Sequence, residues 1–126
     1  MTTLREYIRR ILMENDPWER SITSHPVLGD ESARDFVARH NLQVRDGMII
    51  LYHATPKATK LERDVIRAGS YLASNPSKAI HFAGRDRGLS ADKIACYEVP
   101  LHPSELEWVG HYQTNSDIPL SRTKQL

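Results

Sequence analysis

"ILYHATP" (residues 50–56) joins an apolar run to a histidine and then to residues of little side-chain bulk. Met48 to Tyr52 form the continuous apolar run of a buried strand, and Asp46-Gly47 just before it is a turn signal. We read the first core strand there, delivering His53 at its end. A core strand can stop on any turn residue. An imidazole followed by approachable backbone is informative only if something outside the strand needs both, and the rest of the chain decides whether it does.

The chain has 126 residues, enough for one hydrophobic core and too few for two independent ones. Seventeen basic residues face sixteen acidic ones, leaving a net charge of +1. That balance argues against a dedicated nucleic-acid or membrane-surface binder, because such proteins need a basic face to neutralise phosphates. The single cysteine, Cys96, excludes an internal disulfide and any multi-cysteine metal site. With no apolar run near the roughly 20 residues that span a bilayer and no secretory leader, the expectation is a cytoplasmic monomer.

At the N-terminus, "TLREYIRRILME" (residues 3–14) puts Leu4, Ile8, Ile11 and Leu12 on one side of a helical period and Arg5, Arg9 and Arg10 mostly on the other. We therefore divide the chain into an amphipathic helix at 1–14 and one domain at 15–126. "GDESARDFVARHNL" (29–42) reads as a helix capped by Asp30, with Ala33, Phe36 and Val37 as its apolar stripe and His40 in a structural role near its end. "KATKLERDVIRAG" (57–69) has Leu61, Val65, Ile66 and Ala68 at helical spacing and Gly69 as a stop. "SYLAS" reads as a very short strand. Asn75 then caps, and Pro76 opens, a helix through Ala79, Ile80, Phe82 and Ala83. "DKIACYEVPL" (92–101) is the clearest strand, and the polar, aromatic tail reads as irregular except for an edge strand at 118–120. The fold class is α+β with short strands.

The common enzyme signatures are absent. No histidine pair has the i, i+4 spacing of a helical zinc site, so no metal is expected; His25 and His102 each adjoin a proline, which suggests loops. No serine or cysteine sits on a glycine-flanked nucleophile turn, and no glycine-rich phosphate loop occurs.

What remains is an order of elements. "LYHATP", then "GSYLASNPSKAIHFA", then "IACYEVPL" resembles the core of ADP-ribosyltransferases of the diphtheria-toxin and poly-ADP-ribose-polymerase type, including small rifamycin-modifying and phage members. His53-Ala54-Thr55, Tyr71, and Phe82 eleven residues after it match that family's histidine motif, its tyrosine strand and the aromatic of the following helix over roughly residues 49–101. Family members usually have glycine where Ala54 stands. The N-terminal stretch reads as a helix that docks on the domain's own core, and, ending Leu12-Met13-Glu14, it also resembles the capsid-targeting leader of internal proteins of large tailed phages. That would place the chain in a virion interior or a host cytoplasm.

The resemblance implies a compact split β-sheet core flanked by short helices, with NAD as the substrate. Tyr71 and Phe82 would sandwich the cationic nicotinamide by stacking and cation–π attraction. The backbone at Ala54 would hold the carboxamide, His53 a ribose hydroxyl, Thr55 the turn or the ribose, and Arg85 with Arg87 the pyrophosphate. A carboxylate would stabilise the oxocarbenium-like transition state. Asp117 in "YQTNSDIPL" is the preferred candidate, with Glu107 or Gln113 as the alternatives and, beside Asp117, Gln113 recognising the acceptor. The implied activity is transfer of ADP-ribose to a protein, nucleic acid or small molecule. A noncatalytic NAD- or ADP-ribose-binding module and a virion-packaged interaction protein are the alternatives. The related RNA 2′-phosphotransferases are disfavoured by Tyr71.

Overall fold

The computed structural model describes residues 17–19, 21–25, 29–57, 64–85 and 88–126. The amphipathic segment at 1–14, Leu61 and Arg87 lie outside them. The described chain is α+β, with antiparallel sheets and two helices. In chain order the elements are β1 (Ser21–His25), β2 (Gly29–Ser32), α1 (Ala33–His40), β3 (Gln43–Arg45), β4 (Met48–Pro56), β5 (Val65–Ile66) and β6 (Tyr71–Leu72). They continue with α2 (Pro76–Arg85), β7 (Ile94–Leu101), β8 (Leu106–Trp108), β9 (Tyr112–Thr114), β10 (Ile118–Pro119) and β11 (Lys124–Gln125).

The central sheet runs β11-β7-β4-β3. Asp46 and Gly47 both take positive φ, at 54° and 73°, the geometry of a two-residue hairpin turn, and this sets Arg45 opposite Met48. β4 is longer than its apolar run. It pairs with β7 from Ile49↔Leu101 to Pro56↔Ile94, so His53, Ala54 and Thr55 stand inside the ladder and not beyond its end. The hydrogen bonds of a central strand carry it through residues whose side chains alone would not have demanded a strand.

A second sheet, β6-β9-β8, is built largely from the tail that reads as irregular in the sequence. Leu106, Trp108, Tyr112 and Thr114 alternate with Glu107 and Gln113, and the alternation gives this sheet two faces. One face packs on α1: the Phe36 ring lies 5.7 Å from Trp108 and 6.0 Å from Tyr112, and His40 Nδ1 lies 2.7 Å from the Tyr112 hydroxyl. Phe36, Ile49, Leu51, Leu72 and Ile118 are fully buried in the core behind it, each contributing roughly 1.5–3 kcal/mol.

Three further expectations are corrected. Val65 and Ile66 are not helical; two consecutive β-branched residues pair with Ile118 and Pro119 as a short antiparallel ribbon. The cap of α1 is Ser32, whose hydroxyl accepts from the Asp35 N–H at 3.2 Å, while Asp30 belongs to β2. His25 lies in β1 and not in a loop. α2 is capped as expected, with Asn75 Oδ1 accepting from the Lys78 N–H at 2.9 Å and Pro76 in the first position. No helix among the described residues is long and apolar enough to cross a membrane.

Candidate functional site

The site forms where the two sheets meet. Tyr52 and Ala73 form a single isolated bridge between β4 and β6, exchanging backbone bonds of 2.9 and 2.8 Å. Antiparallel alternation turns the N–H and C=O of Ala54, two residues on, toward the same edge as those of Tyr52. Continued pairing would match Ala54 with Tyr71. Instead the imidazole of His53 enters: its Nδ1 lies 2.9 Å from the Tyr71 carbonyl oxygen. A carbonyl only accepts, so Nδ1 carries the proton and the neutral ring keeps Nε2 as an acceptor. Burial pushes the His53 pKa below the usual histidine value, and the Tyr71 carbonyl bond opposes this more weakly, so the ring is neutral at pH 7.

α2 covers this junction, packing Ala79 against Ala73 and Cys96, with Ala54 and Tyr71 alongside. The cavity left between helix and strands measures about 380 Å³ and is lined by His53, Ala54, Tyr71, Ala79, Phe82, Ala83 and Arg85. Small side chains on α2 and at Ala54 make the space. Cys96 is buried, and burial raises the pKa of its thiol, which removes it as a nucleophile.

The Tyr71 and Phe82 rings are 5.1 Å apart between centroids and inclined at 60°. A flat ligand between two parallel rings needs roughly 7 Å, two van der Waals separations, so the pair is closed against itself here. Phe82 is 40% exposed and therefore has room to swing. The Arg85 guanidinium lies 5.3 Å from the Phe82 centroid. Burial raises the pKa of the Tyr71 phenol and the charge of Arg85 offsets part of that rise.

Of the residues singled out in the sequence, the structure brings His53, Ala54, Tyr71, Phe82 and Arg85 to one cavity. Thr55 is half-buried in the ladder opposite Ala95 and is not among the described residues lining it. Asp117 lies elsewhere: its Oδ1 accepts the Ala68 N–H at 2.9 Å beside the β5–β10 ribbon. Gln113 stands directly opposite Tyr71 across β6–β9, and Glu107 directly opposite Gln113 across β9–β8, so the three share one face. Gln113 Nε2 donates to Glu107 Oε2 at 3.1 Å. His111, not singled out in the sequence, places its ring 5.4 Å from that of Tyr71 at 34°. Its signal was register, which cannot be read before the β8–β9 hairpin is known. No group of metal-ligating side chains occurs among the described residues.

Comparison of the chain with protein-family models, curated proteins and solved structures returned no match.

Proposed function

We propose that the protein is an NAD-dependent mono-ADP-ribosyltransferase with the split-sheet core of that superfamily. The observation that carries this reading is one cavity lined by His53, Ala54, Tyr71, Phe82 and Arg85, residues up to 32 positions apart to which the family resemblance gives NAD-binding roles. NAD enters with its nicotinamide against Tyr71, Phe82 swings onto the far face of the ring, and the Ala54 N–H and C=O take the carboxamide. His53 Nε2 accepts from a ribose hydroxyl, its ring held in that tautomer by the Tyr71 carbonyl. Arg85 meets the pyrophosphate.

The reaction breaks the bond between the nicotinamide nitrogen and ribose C1′. The electron pair leaves with nicotinamide, which becomes neutral, and positive charge develops on the ribose. Glu107 is the carboxylate we assign to that charge in place of Asp117, because it shares the face of Tyr71 and Gln113 while Asp117 holds the Ala68 amide. The acceptor nucleophile then bonds to C1′ and its proton passes to solvent water, with Gln113 beside it.

Release of nicotinamide from NAD, followed by chromatography with a cell lysate as the acceptor source, tests this reading. Wild type releases nicotinamide and labels an acceptor. Tyr71→Ala and His53→Ala abolish release while circular dichroism shows a folded chain. Full turnover by both variants would remove the site assignment, and NAD binding without release would favour a noncatalytic module.

A further inference from the structure

We infer that His111 is a positioning residue, holding Tyr71 as the fixed wall of the nicotinamide slot while Phe82 is the wall that moves. The inference rests on the proposed NAD site and names a residue that neither the motif nor the cavity wall contains.

Register puts His111 there. Tyr71 pairs with Gln113 and Leu72 with Tyr112, so continuing the antiparallel count by one sets Ala73 against His111. His111 is therefore the diagonal neighbour of Tyr71 on the face that both share with Gln113, within reach of an aromatic side chain. The preceding turn is shaped for this. Trp108 pairs with Tyr112, the three residues between them close the hairpin, and Gly110 at φ 93° takes a conformation that a side chain would strain.

The two rings that touch Tyr71 differ in kind. His111 lies at 34° to it, near the offset-stacked arrangement, whereas Phe82 lies at 60°. The cavity is bounded by Phe82 and not, among its described lining, by His111. A ligand that stacks on Tyr71 thus enters from the Phe82 side and displaces Phe82. The His111 contact remains made, and the Tyr71 ring does not have to be ordered at the moment of binding. β6 has only two residues, so little else on its own strand fixes the ring.

Calorimetric titration of the full chain with NAD tests the inference, comparing wild type, His111→Ala, His111→Phe and His111→Gln. Having to order the Tyr71 ring at the moment of binding predicts affinity weaker by roughly threefold to tenfold in the alanine and glutamine variants. The phenylalanine variant restores it, and all four remain folded by circular dichroism. His111 is exposed, so its replacement leaves the core untouched. Wild-type affinity in the alanine variant, or equal weakening in the phenylalanine variant, would overturn the positioning role and leave the NAD site standing. No binding by wild type would overturn both.

Discussion

Replacing Glu107 by glutamine removes one negative charge and keeps the shape and the partner of the side chain, so it isolates electrostatics from packing. Tyr71, Gln113 and Glu107 lie in register across three strands. Strands are about 4.8 Å apart, so Tyr71 and Glu107 are roughly 9.6 Å apart across two spacings, and a carboxylate reaching back over Gln113 shortens the separation from a ribose carbon above Tyr71 to on the order of 6 Å. With an effective dielectric constant of about 20, a unit charge at that distance interacts by about 2.8 kcal/mol, equivalent to about a hundredfold in rate. Glu107→Gln should therefore lower the first-order rate of nicotinamide release about a hundredfold with little change in the affinity for NAD. Asp117→Asn should leave the rate unchanged, because an amide oxygen can still accept the Ala68 N–H. Single-turnover release from saturating NAD is the appropriate assay. A glutamine variant at wild-type rate, with the asparagine variant strongly impaired, would return the acidic role to Asp117 and refute the reasoning from register.

Two further predictions concern stability. His53 and His40 both have pKa values lowered chiefly by burial, so below the ordinary histidine value of about 6.5 the unfolded chain takes up protons that the folded chain refuses. Urea unfolding should show a stability that is full above that value and falls as the pH drops toward the folded-state pKa values; stability that stays level or rises from pH 7 to 5 would contradict the burial of these rings. Gly84→Ala would bring a Cβ to 2.7 Å from the Leu89 backbone oxygen, and the overpacking should cost roughly 1–3 kcal/mol in the same measurement, with an unchanged midpoint contradicting the close approach of that loop to α2.

The elements that were legible in the sequence are those whose signals are local. The Asp46-Gly47 turn, the apolar start of β4, the cap and proline of α2, and β7 all follow from residue types acting within a few positions. β8 and β9 did not announce themselves. Each has three residues and the middle one of each lies on the face away from α1, so Glu107 and Gln113 dilute the apolar signal of Leu106, Trp108 and Tyr112. β5 reads as helix in the sequence because Leu61, Val65 and Ile66 satisfy a helical spacing, and only pairing with Ile118, some 50 residues on, makes a strand worth forming. The same distinction runs through the site. His53, Tyr71 and Phe82 could be named from short motifs in order. Glu107 could not be weighed against Asp117, nor His111 noticed, until the hairpin register set Glu107 across Gln113 from Tyr71 and His111 on the diagonal.

The central claim is that the junction of β4 and β6 under α2 receives the nicotinamide of NAD. Backbone amide shifts in an isotopically labelled chain report on it directly during titration with NAD and, separately, with nicotinamide. The Ala54 amide should show the largest shift with both ligands, accompanied by Tyr71 and Phe82, and Arg85 should respond to NAD alone. An Ala54 amide that stays in place while NAD is added to saturation would contradict the account.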